Sequence, residues 1–155
     1  LNVVDLGKIP AAKKVPMMKP NGHWEFPDVM GVNKVGFVYV IRDLVLKRGY
    51  IGKKLYRKQG LLRGGEEYPW RTYKSSSTTM AQLMARRPAD EFDFVVLEEY
   101  GTKSGLSFGE TWTLCMVEAP TTPLWYNTRI EKIAWNVREN ITFRHKERLE
   151  MVQEW

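Results

Sequence analysis

Tyr39 and Tyr50 stand eleven positions apart, each inside a run of β-branched and aromatic residues, Gly36-Phe37-Val38-Tyr39-Val40-Ile41 and Gly49-Tyr50-Ile51-Gly52-Lys53-Lys54. Far along the chain comes a carboxylate, Glu110, and seventeen positions after it Asn127 in Leu124-Trp125-Tyr126-Asn127. Hydroxyls, an acid and basic side chains are what phosphodiester hydrolysis requires: a group to strip a proton from water, charge to stabilise a crowded transition state, and help for the departing oxygen. Taken singly, each has an ordinary explanation. A strand tyrosine packs, and Glu110 with Ser107 fits a capping box at the start of a helix.

The elements that must carry these residues can be read from composition and period. Residues 36–42 and 49–56 form the arms of a hairpin, and the polar stretch from Arg42 to Arg48 is their surface connection. Pairing the arms brings both phenols to one edge. Strand alternation lets only one of Lys53 and Lys54 share a face with a given tyrosine, and Gly52 leaves room for close approach. The polar, glycine-bearing stretch 59–68 reads as a loop. Serines and threonines then cap a helix over 79–86 carrying Met80, Leu83 and Met84, which Pro88 closes. Phe92 to Tyr100 is a third strand. Over 107–119 the residues Phe108, Trp112, Cys115, Met116 and Ala119 make a helical stripe, with Leu114 and Val117 on a second side shared by Glu110. A carboxylate on so apolar a surface calls for a cation, and one Mg²⁺ or Mn²⁺ held by a single carboxylate, water and a substrate phosphate suits such hard ions. Glu110 is therefore the metal candidate.

In these segments the chain resembles the GIY-YIG nuclease family. Tyr50-Ile51-Gly52 matches the second half of the family's name, whereas Phe37-Val38-Tyr39 keeps only the tyrosine and its apolar neighbour, with Gly36 one position early. Glu110 followed by Asn127 has the order of the family's catalytic glutamate and terminal asparagine. Trp70-Arg71-Thr72-Tyr73-Lys74-Ser75-Ser76, after Tyr-Ile-Gly-Lys-Lys, is similar to phage segment-type homing enzymes and some restriction-type members. The resemblance covers residues 36–130. It implies an α/β (α+β) fold, a small three-stranded antiparallel sheet flanked by helices, and a metal-dependent DNA endonuclease. It also implies Tyr39 as general base, Tyr50 orienting the water or touching the phosphate, Glu110 as the catalytic glutamate and metal ligand, and one catalytic arginine. Arg57 falls early for that arginine, Arg63 slightly late, and Arg71 is the third candidate. A phenol with pKa about 10 needs a neighbouring cation to lower it before it serves as a base. Gly52, Lys53, Lys54 and Asn127 are expected to position substrate or backbone, with the Asn127 amide fastening its segment to a strand. Arg63, Trp70, Tyr73 and Lys74 are expected on DNA.

The remaining sequence bounds these readings. A formal charge of +6 and a pI near 9.4 favour a polyanionic partner, which the resemblance implies is DNA. With one cysteine and two histidines among 155 residues, neither an internal disulfide nor a Cys/His zinc set can form. No apolar run reaches the roughly 20 residues that span a bilayer, and no signal segment opens the chain. A cytoplasmic protein is expected, in the host if phage-encoded, with virion association as the alternative. Residues 1–35 read as an extended arm bearing Lys13, Lys14 and Lys19, which either follows a phosphate backbone or covers a sheet edge with Met17, Met18 and Trp24. Residues 36–135 make the nuclease-like domain, and 136–155 a terminal amphipathic helix that packs, binds DNA or pairs with a second subunit. Specificity is expected from these additions, from a homodimer or from a protein partner. A non-catalytic DNA-binding or virion protein on the same scaffold is the alternative. An RNA-binding module would need Trp70 and Tyr73 facing solvent.

Overall fold

The computed structural model describes residues 19–130 and 144–153. Three strands, β1 (Gly36–Asp43), β2 (Arg48–Leu55) and β3 (Phe92–Tyr100), form one sheet in the order β2-β1-β3, with both pairings antiparallel. Helices α1 (Thr78–Arg86), α2 (Lys103–Met116) and α3 (Arg144–Gln153) flank it. This is the α+β arrangement that the sequence predicts. The apolar run of β1 is buried on both sides, so alternate residues feed two cores. Val38 and Val40 meet Leu106 and Leu114 of α2 and Leu149 and Val152 of α3. Phe37, Tyr39 and Ile41 meet Trp24, Tyr56, Trp70 and Met80 on the opposite face.

A bulge in β3 sits beside Tyr39, where the register passes from Val38 opposite Glu98 to Tyr39 opposite Val96. The extra residue puts Leu97 and Glu98 on the same side of the sheet and resets the alternation. Tyr100 consequently joins the α2 core, while Glu99 turns to the other face and accepts a 2.7 Å hydrogen bond from the Tyr56 hydroxyl.

Residues 19–35 lie along the Tyr39 face. Trp24 is buried there and donates its indole N–H to the Trp70 carbonyl at 2.8 Å. Glu25 pairs with the edge of β3 at Val95. Lys19 is exposed, and Lys13, Lys14, Met17 and Met18 lie outside the described residues.

Helix α2 corrects two expectations. It starts at Lys103 with Thr102 as cap, its hydroxyl accepting the Gly105 N–H at 3.0 Å, so Ser107 and Glu110 are internal and form no capping box. Its buried side runs through Leu106, Gly109, Thr113 and Leu114, whereas Cys115 and Met116 are exposed. The reason is contact geometry: a methyl at Gly109 would lie 2.2 Å from the Tyr100 hydroxyl, so the helix seats this bare position against β3. Hydrophobicity alone picks the other stripe. In α3, Leu149 and Val152 are buried against the sheet, and Phe143 and Trp155 lie outside the described residues.

Candidate active site at the edge of the sheet

β2 is an outer strand, and its free edge is covered along half its length. The coil after α2 runs beside it, with the Gly49 N–H donating to the Leu124 carbonyl at 2.9 Å and the Tyr126 N–H to the Gly49 carbonyl at 2.7 Å. Asn127 ends this cover: its amide oxygen accepts the Ile51 N–H and its amide nitrogen donates to the Ile51 carbonyl, both at 2.8 Å. Beyond Asn127 a cleft of about 290 Å³ opens, lined by Lys53, Lys54, Tyr68, Tyr73, Lys103 and Ser107 among others.

Tyr39 and Tyr50 stand on one face of this edge, ring centroids 6.4 Å apart. Tyr39 pairs across the ladder with Gly52, and a methyl on Gly52 would lie 2.3 Å from the Tyr39 hydroxyl. The missing side chain is what lets the phenol reach across β2. Ser75 and Tyr73 are the polar neighbours that bear on that hydroxyl's acidity. Ser75 holds a φ of 92, in the left-handed region that costs a side-chain-bearing residue strain. The Tyr39 ring is 1 % exposed, and burial, followed by the neighbouring Tyr73, raises its pKa well above the ordinary phenol value. A cation lowering that value, which the base assignment expects, is not what surrounds it.

Glu110 lies across the strand. Its carboxylate, 14 % exposed, is 3.6 Å from Lys53 Nζ, which also donates to the Ser107 hydroxyl at 3.1 Å. Lys54 points to the phenol side, its Nζ 4.0 Å from the Tyr68 ring centroid and 4.3 Å from that of Tyr73. The alternation read from sequence thus separates the two lysines. It also separates acid from phenols, so they do not ring a single pocket. They flank one strand edge, each a side chain behind the cleft wall: Tyr39 behind Tyr73, Glu110 behind Lys53.

The arginine candidates are elsewhere. Arg57 donates to the Leu62 carbonyl at 3.2 Å, Arg63 to Asn33 at 3.1 Å, and Arg71 to the Pro20 carbonyl at 2.9 Å and to Glu67 at 3.2 Å. Among the described residues no arginine lines the cleft; its cations are Lys53, Lys54 and Lys103. Trp70 is corrected too. It is 2 % exposed, its indole N–H on Glu67 at 2.7 Å, so it is core and offers no face to a base. The RNA-stacking alternative loses its first ring. Tyr73 is half-buried in the cleft wall, and Lys74 is exposed beside a neighbouring hollow with His23 and Glu25.

Tyr68, Ser75, Lys103 and Ser107 belong to the site without being among the sequence candidates. Tyr68 sits in a stretch that reads as loop, yet its N–H bonds the Tyr56 carbonyl at 2.8 Å as the chain returns along β2. Repeated tyrosines around a lysine pair were the available signal. For a divalent cation the donor set is spare: among the described residues no three His, Cys, Asp or Glu side chains cluster. Glu110 with water and a substrate phosphate fits the single-carboxylate mode of Mg²⁺.

A small antiparallel sheet with two strand tyrosines, a helix-borne acid and basic residues at one edge defines a phosphodiesterase-type nuclease scaffold. A family model described as "Putative endonuclease segE, GIY-YIG domain" matches residues 23–130. The chain belongs to this GIY-YIG family. Comparison with curated proteins and with solved structures returns no match.

Proposed function

We propose that the protein is a metal-dependent DNA endonuclease, phage-encoded, whose reaction takes place at the free edge of β2. The observation that carries this is the arrangement around Gly52: Tyr39 and Tyr50 on one face, the Lys53–Glu110 pair on the other, and a lysine-lined cleft where the Asn127 clamp ends. Three lysines at one cleft attract a phosphate backbone. Tyr50 orients the attacking water. Tyr39 receives its proton while passing its own to Tyr73, and Tyr73 releases one to solvent, so no buried phenolate accumulates. This relay accommodates a phenol whose acidity burial has suppressed. Glu110 would hold Mg²⁺ or Mn²⁺ together with water and a substrate phosphate, and the ion would supply charge stabilisation of the transition state and of the leaving oxygen. Lys53 holds the Glu110 carboxylate in place on their shared face of β2.

Supercoiled plasmid incubated with the protein and Mg²⁺ or Mn²⁺ tests the reading. Nicking is expected, and Glu110→Gln is expected to slow it by at least about 2 orders of magnitude while DNA retention survives. Parent and variant cutting at equal rates would overturn the assignment of Glu110. A second reading, a DNA-binding protein that retains the scaffold without cutting, is favoured by the buried Tyr39 and the arginine-free cleft. Equal retention with no cutting by either protein would establish it.

A further inference from the structure

Among the described residues, Lys54 is the one cleft lysine whose ammonium rests on ring faces. Lys53 is committed to Glu110 and Ser107, and the Lys103 stem packs on Gly60, where a methyl would come within 2.5 Å of it. Lys54 lies between Tyr68 and Tyr73 at 4.0 and 4.3 Å from their centroids, with no hydrogen bond or ion pair to any described residue. Ring faces attract a cation through their quadrupole but leave its N–H donors without acceptors. Burial meanwhile holds its pKa below the ordinary lysine value, so part of its water is already gone before any ligand arrives. A half-desolvated ammonium with unused donors, facing a cleft, suits an oxyanion.

We infer that Lys54, caged by Tyr68 and Tyr73, is the cation that binds the reacting phosphodiester, and that the two rings are positioning residues doing what rigidity does for an arginine. A guanidinium is preorganised by its planar fork, whereas a lysine stem loses rotamer entropy when it docks. Two flanking rings remove that freedom in advance, which makes a point charge act as a fixed one. The inference rests on the nuclease reading above and refines its phosphate contact.

Plasmid nicking by Lys54→Met, with Glu110→Gln as reference, is the first test. Lys54→Met is expected to cut about 100-fold more slowly with an unchanged melting temperature. Ethylammonium is expected to restore part of the activity of Lys54→Ala, which a purely structural role would not permit. Tyr68→Phe, which keeps the ring, is expected near the parent rate, and Tyr68→Leu well below it. A measurement on the parent protein avoids variants altogether: DNA is expected to slow acetylation of Lys54 relative to the exposed Lys47 in the β1–β2 turn. Lys54→Met cutting within a few-fold of parent while Glu110→Gln is inactive would overturn the inference and leave the nuclease reading standing. Equal acetylation of Lys54 with and without DNA would overturn it also. A parent protein that cuts nothing overturns the nuclease reading, and the acetylation pattern then decides the phosphate contact by itself.

Discussion

Gly52 is the residue on which the site's geometry turns. It faces Tyr39 across the ladder, and only a bare α-carbon there lets the phenol extend over β2. Gly52→Ala is expected to push the Tyr39 hydroxyl off Ser75 and Tyr73, to cost about 1–3 kcal/mol of stability through overpacking, and to lower cleavage more than DNA retention. Thermal melts and nicking rates check this, and an alanine variant with parental kinetics would contradict it. At this scale the sequence was informative in part. Both tyrosines, the glycine and the acid lie at the β2 edge, where strand alternation and motif spacing bear on their placement directly. The arginines do not. Their side chains are long, and local partners such as the Leu62 and Pro20 carbonyls and Asn33 claim them, which no spacing rule foresees. Trp70 was likewise ambiguous, since an aromatic beside basic residues stacks on a base or fills a core according to what covers it. Trp24, forty-six positions away in sequence, covers it.

At the scale of elements, the clamp of the 124–127 coil on β2 determines where the edge opens. Asn127 reproduces a strand's donor and acceptor with one side chain, so the coil behaves as a short fourth partner that stops before Lys53. Asn127→Ala removes both bonds and is expected to cost about 1–3 kcal/mol. Asn127→Asp keeps the acceptor for the Ile51 N–H but places a carboxylate against the Ile51 carbonyl, so it is expected to be no better than alanine. Denaturant titrations would rank the three, and an aspartate variant as stable as parent would refute the two-bond clamp. Strands and α1 were legible from β-branched runs and a serine cap, the latter seen as Ser77 accepting the Met80 N–H at 3.3 Å. Helix α2 was legible in existence and not in phase. Its buried side is chosen by the fit of Gly109 on Tyr100, a tertiary contact that overrides the hydrophobic stripe.

For the whole molecule, Asp43 joins what the sheet alone does not. Fully buried at the β1–β2 turn, it accepts hydrogen bonds from the Leu46 N–H at 2.9 Å, from Arg87 beyond α1 at 2.5 and 2.8 Å, and from the Tyr126 hydroxyl at 2.8 Å. Turn, crossover and clamp coil are tied at one carboxylate. Burial pushes its pKa up, but the bonds from Arg87, Leu46 and Tyr126 outweigh this and hold it well below the usual carboxylate range. In the partner phenol, burial and then the Asp43 bond push the Tyr126 pKa up to about 12. Because the folded carboxyl is the stronger acid, its contribution is fully present above the unfolded value near pH 4 and is lost as pH falls towards the folded one. Asp43→Asn is therefore expected to be less stable at neutral pH, by about 3 kcal/mol, and to lose less stability than the parent on acidification below about pH 4. Melting curves from pH 7 to pH 2 would show it, and parallel parent and variant profiles would count against it. In sequence Asp43 is one residue of the polar hairpin connection, and its Arg87 and Tyr126 partners are forty-four and eighty-three positions away.

Under the proposed function, groups on the two faces of β2 act on one phosphate. Single-turnover cleavage by Tyr50→Phe, by Lys53→Met and by the double variant measures this directly. If both faces serve one transition state, the double variant is expected to be little slower than the slower single variant. Losses that simply multiply, or a Tyr50→Phe enzyme that cuts as fast as the parent, would contradict it.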